Sequence, residues 1–153
     1  MIRHVLEELS RAHFPGPPAT PAQVAEFEAR VGWKLDADLR EFYLHCDGAT
    51  LFVSRDEDPS YRILPLAEVR RARVAMRGED DDSMGPSSWY TLVYCQDSDY
   101  VLVDVARQQE ECYPLLDAFH ETYPLHVRRI AASFSEFLER ALRGGDRLYW
   151  LNE

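Results

Sequence analysis

The chain has 153 residues, 46% of them hydrophobic, which is enough to bury a core without disulfides and predicts one domain over residues 1–153. Its formal net charge of −10 disfavours nucleic acid and anionic membrane as partners and favours a basic one, although acidity also serves solubility alone. No run reaches the roughly 18 apolar residues of a membrane span, and three scattered cysteines predict reduced thiols, so we expect a cytoplasmic protein.

The N-terminal third of the chain predicts three amphipathic helices. The first covers residues 2–13, and the other two lie within residues 20–48. Thr20 and Gln23 form a capping box for the second helix, and Asp36 is the predicted N-cap of the third. The predicted stops of the second and third helices are Gly32 and Gly48.

Glu28 falls on the inward face of the second helix, between Val24 and Val31. An ionised carboxylate is costly there unless its oxygens find donors. We expect Glu28 to accept hydrogen bonds from backbone amides near the start of the third helix. The alternative is that Glu28 lies at the edge of the face and reaches water.

The middle of the chain predicts hairpins. Residues 51–53 and 61–64 predict the first one, and residues 90–95 with 100–105, dense in β-branched and aromatic residues, predict the centre of the sheet. Residues 112–116 predict an edge strand, because their proline lacks a backbone donor.

A helix follows Pro65, and its arginines are predicted to point mostly outward and to form salt bridges or a solvated face. Residues 78–88, rich in glycine, serine and acids, predict a mobile surface loop. Ser133 and Glu136 predict the capped closing helix, after which residues 148–151 form an apolar tail expected to pack down. These elements predict an α+β fold in which an N-terminal helical hairpin and a C-terminal helix pack on one mainly antiparallel, twisted sheet.

The two-helix segment resembles the opening of the SUKH superfamily, which includes the fungal cell-wall assembly regulator and many bacterial immunity proteins. The residues that match its pattern are Glu28, Gly32, Leu35, Leu39, Phe42, Tyr43 and Gly48. Asp36 stands where the family usually has proline, and Asp47 precedes Gly48 in place of asparagine. A second stretch, residues 130–138, is similar to the closing helix of the family.

Catalytic and metal-binding patterns are weak. Cys95 has the carboxylates Asp97 and Asp99 as its nearest ionisable neighbours, and these raise the pKa of a thiol, so a small buried residue is the favoured interpretation. Close pairs of zinc ligands and a glycine-rich phosphate loop are both missing. We therefore predict no catalytic residue, no metal and no cofactor.

The resemblance implies an immunity protein that binds a cognate polymorphic toxin, such as a nuclease, and occludes its active site. A non-catalytic regulatory or scaffold module is the alternative, and an enzyme is disfavoured. Acids expected to be exposed, together with aromatics whose alternative is core packing, are the candidate partner-binding residues. They are Trp33, Asp56, Glu57, Asp58, Glu79, Asp80, Asp81, Asp82, Trp89, Tyr90, Asp97 and Asp99.

Overall fold

The structure, a computed structural model, describes residues 2–52, 61–107, 111–145 and 148–152. Within these ranges the helices are α1 (Arg3–Ala12), α2 (Pro21–Val31), α3 (Ala37–His45), α4 (Ala72–Arg77) and α5 (Phe134–Gly144). The strands are β1 (Phe14–Pro15), β2 (Ala49–Leu51), β3 (Tyr61–Ile63), β4 (Trp89–Tyr94), β5 (Tyr100–Asp104), β6 (Leu115–Ala118) and β7 (Val127–Ala131). The strands form one antiparallel sheet in chain order, so the predicted α+β fold is confirmed.

Helices α1, α2, α3 and α5 cover one face of the sheet. Alternate residues of β5 point to opposite faces, as the pleat requires. Val101 and Val103 join the large core with Phe42 of α3 and Phe137 of α5. Leu102 joins a smaller cluster on the other face with Ala72 of α4. We call this second side of the sheet the outer face.

The predicted helix caps are confirmed at three of the four ends in the α2–α3 segment. The Thr20 hydroxyl accepts from the Gln23 amide at 3.1 Å, and the Gln23 side chain accepts from the Thr20 amide at 2.8 Å. Gly32 ends α2 with φ of +82°. Asp36 accepts from the Leu39 amide at 2.9 Å and so caps α3.

The prediction that Gly48 ends α3 is wrong, because the helix already ends at His45. Gly48 has φ of +91°, and a Cβ atom at this position would lie 2.8 Å from the Ile63 carbonyl oxygen. The glycine is therefore required by the close approach of the chain after α3 to the end of β3.

The C-terminal half contains a strand that the sequence pattern did not predict. The edge strand predicted at residues 112–116 overlaps β6 only at Leu115 and Leu116, and β7 pairs beyond β6, so β6 lies inside the sheet. Pro114 precedes β6, and its carbonyl oxygen accepts from the Asp104 amide at 3.1 Å. Strand β7 escaped prediction because Arg128 and Arg129 interrupt its apolar residues.

The closing elements match the prediction. Ser133 caps α5 by accepting from the Glu136 amide at 3.1 Å, although the Glu136 carboxylate bonds the Ala132 amide instead of that of Ser133. The tail forms a 3₁₀ turn, Tyr149–Asn152, in which Trp150 is 1% exposed. No helix in the described ranges combines the length and apolarity needed to cross a membrane.

Candidate interaction surface

The outer face carries a groove at the end of the sheet where β3, β4 and β5 lie side by side. Residues 65–69 leave the sheet after β3, and Arg70 and Arg71 return to pair with β4, where the Arg70 carbonyl oxygen accepts from the Thr91 amide at 2.8 Å. The space between this excursion and the strands is about 600 Å³. Its lining residues are Arg62, Leu64, Ala67, Glu68, Arg70, Thr91, Tyr94, Ser98 and Tyr100. We call it the Tyr94–Tyr100 groove.

Two tyrosines form one wall of this groove. Tyr94 and Tyr100 are directly opposite each other on β4 and β5, and their ring centroids lie 5.2 Å apart with the rings edge to face. Both are half-buried. Arg62 of β3 pairs with Tyr94 in the strand register and therefore extends from the same face.

Arg62 is held by Glu68 across the groove. The guanidinium makes two parallel bonds to the carboxylate, at 3.1 Å and 2.8 Å, which is the geometry that arginine and carboxylate groups favour. This contact lowers the pKa of Glu68 and raises that of Arg62. Arg70 is exposed and forms no ion pair with any residue that the structure describes.

A second groove of about 450 Å³ lies on the outer face, around Trp89 and Leu116. Trp89 contributes to its wall and packs against Tyr123 with ring centroids 6.2 Å apart. Arg107 and Arg129 line it as exposed cations, and Arg107 lies 3.7 Å from the Asp104 carboxylate. Trp89 is thus the predicted aromatic candidate that lies next to an open surface.

The surface loop predicted at residues 78–88 is tied to α4 by ion pairs, and the predicted outward orientation of Arg73 is wrong. The Arg73 side chain is 7% exposed and lies 2.7 Å from both the Asp80 and the Asp82 carboxylates. It also donates to the Gly85 carbonyl oxygen at 3.2 Å. Arg71 makes a further ion pair with Asp80 at 2.8 Å. These contacts confirm that arginines here form salt bridges.

These ion pairs change what the acidic loop offers to a partner. The hydrogen bond from Arg73 lowers the pKa of Asp80, so this carboxylate is ionised but already compensated. Asp81 accepts from the Ser83 amide at 2.8 Å, and Glu79 is exposed. The negative charge presented by Glu79–Asp82 is therefore smaller than the sequence alone indicates.

The remaining candidates are scattered. Trp33 is half-buried and contacts Phe27, Tyr90 and Tyr113 edge to face, while Tyr90 is only 5% exposed. The Asp99 carboxylate bonds the His120 ring at 2.7 Å and the His120 amide at 2.8 Å. The candidates outside the described residues are Asp56, Glu57, Asp58 and the side chain of Asp97.

The residues of the SUKH pattern form a structural unit. The Leu35 amide donates to Glu28 Oε2 at 2.8 Å, which confirms the bond expected between α2 and the start of α3. Tyr43 donates its hydroxyl to the Leu64 carbonyl oxygen at 2.6 Å, tying α3 to the end of β3. Leu39 and Phe42 are buried in the core. The pattern therefore holds the scaffold together.

Residues 18–140 match the profile of the SMI1 / KNR4 family (SUKH-1). The chain belongs to this family. The match runs from just before the capping box of α2 into α5, and so includes β2 to β7. Among curated proteins, the immunity protein YokJ of Bacillus subtilis (strain 168) is 31% identical over 124 residues, which cover 78% of this chain and 72% of that protein. The resemblance read from the sequence is confirmed.

Two of the three thiols of this SUKH-1 protein, Cys46 and Cys95, are buried. Burial, together with the negative charges of Asp117 and Asp99, raises the pKa of Cys95. Burial also raises the pKa of Cys46 to about 12. Since the thiolate is the reactive form, these raised pKa values disfavour nucleophilic chemistry at Cys95 and Cys46 at neutral pH. Among the residues that the structure describes, no group of three His, Cys, Asp or Glu side chains is arranged to hold a metal ion.

The Tyr94–Tyr100 groove was not predicted from the sequence, where the candidate residues were exposed acids together with Trp33, Trp89 and Tyr90. The feature that could have indicated it is the alternation of side chains between the two faces of the central hairpin. Tyr94 and Tyr100 lie on either side of its turn and pair directly, so their side chains share a face. Arg62, Glu68 and Arg70 had no comparable signal, because only the fold brings them to these tyrosines.

Proposed function

We propose that this protein is an immunity protein that binds a cognate protein toxin and blocks its active site by steric occlusion. The observation that carries the proposal is the similarity to YokJ, which extends over 72% of that immunity protein. The proposed mechanism is non-catalytic and needs no cofactor. It is consistent with the raised pKa values of the buried thiols Cys46 and Cys95.

Steric occlusion requires a surface that is rigid and large. A stable complex of this kind buries about 800 Å² on each partner, and rigid surfaces lose little conformational freedom on binding. We propose the outer face as this surface, because Trp89, Tyr94 and Tyr100 extend from the central strands β4 and β5 and arginines line the grooves beside them. Trp, Tyr and Arg are the residues most often found as binding hot spots.

We propose that the toxin carries a basic domain, such as a nuclease domain. We also propose that this protein binds the toxin in the cytoplasm. The net charge of −10 attracts such a domain over long distances, although Arg71 and Arg73 compensate part of the acidic loop locally. Long-range attraction depends on the whole charge distribution and raises the association rate more than the affinity.

The test starts from the genes adjacent to this one, and any of them that encodes a toxin domain is co-expressed with this protein. We expect cells that express the toxin domain to survive only when this protein is present, and the purified proteins to form a stable complex. The matched control is the Phe137→Ala variant, which removes a fully buried ring and should weaken protection because it lowers the stability of the fold. Death of the cells at equal rates with and without the intact protein would overturn the proposal and favour a regulatory or scaffold role.

A further inference from the structure

We propose that the Tyr94–Tyr100 groove anchors the toxin by receiving an acidic side chain, Asp or Glu, from the toxin surface. This inference rests on the proposed function, since it names the surface and the chemistry through which the complex forms. Its basis is the arrangement of Arg62, Glu68 and Arg70 around the two tyrosines.

The charges in the groove favour a carboxylate. Glu68 neutralises Arg62 through two bonds at 3.1 Å and 2.8 Å. Arg70, on the same lining, forms no ion pair within the described ranges. The described side chains of the groove therefore carry one positive charge that is not compensated, in a protein whose net charge is −10. An incoming carboxylate can form the paired bonds with Arg70 that Glu68 already forms with Arg62.

The neighbouring residues supply directional contacts as well. Tyr94 and Tyr100 present phenol groups that donate or accept hydrogen bonds and rings that cover an aliphatic stem. Their rings brace each other edge to face at 5.2 Å. They extend from β4 and β5, the central pair of the sheet, so their orientation is set before binding. Preorganised aromatic side chains bind with a small entropic cost.

The size of the groove limits what can enter it. Small-molecule pockets occupy about 300–1,000 Å³, and the groove, at about 600 Å³, admits a side chain with its flanking backbone but not a domain. The groove is thus one anchor within a larger contact. A basic toxin and an acidic anchor are compatible, because the net charge governs approach whereas local pairs govern register.

The experiment measures, by calorimetry, binding of the full chain to the toxin domain against which it protects cells in the co-expression test. In Arg70→Glu, we expect the dissociation constant to rise about 100-fold, since a like charge then faces the acidic side chain. In Tyr100→Ala, we expect a rise of about tenfold. The control is Arg3→Glu, which makes the same charge change at an exposed position of α1 and should change the constant less than about twofold.

Folding is monitored by thermal unfolding of each variant, and Arg70→Ala provides a second substitution without charge reversal. Restoration of binding to Arg70→Glu by replacing one toxin Asp or Glu with Arg would identify the pair directly. If folded Arg70→Glu and Tyr100→Ala both bind the toxin domain with dissociation constants within about threefold of the wild-type value, the proposed role of the groove is overturned. The proposed function is then left intact. Absence of binding by the wild-type protein would overturn both.

Discussion

Two carboxylates determine the geometry of the connection between α2 and α3. Glu28 accepts the Leu35 amide at 2.8 Å and joins the end of one helix to the start of the next. Asp36 accepts the Leu39 amide at 2.9 Å and, with its second oxygen, the Tyr113 amide at 2.9 Å. The aspartate that replaces the usual proline of the family therefore has two roles that proline lacks, a helix cap and a link to the chain before β6.

Replacement of Glu28 by alanine should lower the free energy of unfolding by about 2 kcal/mol, the typical value of a hydrogen bond to a charged group. The Glu28→Gln variant retains a hydrogen-bond acceptor, so its free energy of unfolding should fall by less. Urea unfolding measures both, and Glu26→Ala, at an exposed position of the same helix, is the control. Equal stability of all three variants and the wild type would contradict the role of Glu28.

Asp36→Ala should cost about 2–4 kcal/mol, since the variant loses a cap worth about 1 kcal/mol and leaves the buried Tyr113 amide without a partner. Asp36→Asn keeps one acceptor and should cost less.

Burial raises the pKa of Asp36 above its ordinary value of 3.8, so the folded state binds this proton at a higher pH than the unfolded chain does. The stability of the wild type relative to Asp36→Asn should therefore increase as the pH falls through the raised pKa towards 3.8. Chemical denaturation between pH 7 and roughly pH 4 tests this sign; a constant difference would contradict it.

At the scale of elements, α4 and the loop after it form one unit through Arg73. Its guanidinium reaches two carboxylates at 2.7 Å and the Gly85 carbonyl oxygen. Gly85 has φ of +110°, and a Cβ atom there would lie 2.5 Å from the Tyr123 hydroxyl oxygen. The loop is therefore packed closely against the turn before β7.

Arg73→Ala should release this loop and raise the hydrogen-exchange rates of amides in residues 78–88 about tenfold. Arg70→Ala, which removes an exposed arginine three residues earlier, should leave these rates unchanged. Because Arg73 lowers the pKa of Asp80, the protection should be complete above the ordinary carboxyl pKa of 3.8 and be lost as the pH falls through the lowered value. Exchange mass spectrometry measures both effects, and equal rates in the two variants would contradict the role of Arg73.

The closing helix α5 is held by its aromatic face. Phe137 is 0% exposed and contacts Tyr61 and Trp150 at ring centroid distances of 5.9 Å and 6.2 Å. Phe137→Ala should lower stability by about 3–5 kcal/mol, which corresponds to a fall in Tm of roughly 10 °C or more. Leu151→Ala, at a 67% exposed position, should shift Tm by less than about 2 °C. Calorimetry that gave the two variants the same Tm would refute the packing of α5.

At the scale of the whole molecule, the net charge of −10 should act on the rate of association with the proposed basic toxin domain. Raising the salt from about 0.02 M to about 0.5 M should lower the association rate constant about tenfold, because the Debye length contracts. Stopped-flow fluorescence measures the rate, and a series with an uncharged solute controls for viscosity. A rate constant that does not depend on salt would exclude electrostatic steering.

The sequence predicted the features that depend on neighbours along the chain. The cap formed by Thr20 and Gln23 depends only on two residues that are three positions apart. The hydrogen bond that Glu28 accepts from Leu35 joins residues on either side of the end of α2. The central hairpin likewise depends on two adjacent runs of β-formers. Strand β7 was missed because its stability comes from pairing with β6 and from packing, which a run containing Arg128 and Arg129 does not reveal.

By itself, therefore, the sequence determined the family, the capped helices and the central strands, since each depends on local periodicity or on a contiguous pattern. Only the tertiary structure decided which charges are free. It paired Arg73 with two acids of the predicted loop and left Arg70 beside Tyr94 and Tyr100. The turn after α4 brings Arg73 to acids seven and nine residues further on. Strand pairing and the path of the chain across the outer face bring Arg70 to the two tyrosines, and both arrangements depend on the fold rather than on local patterns.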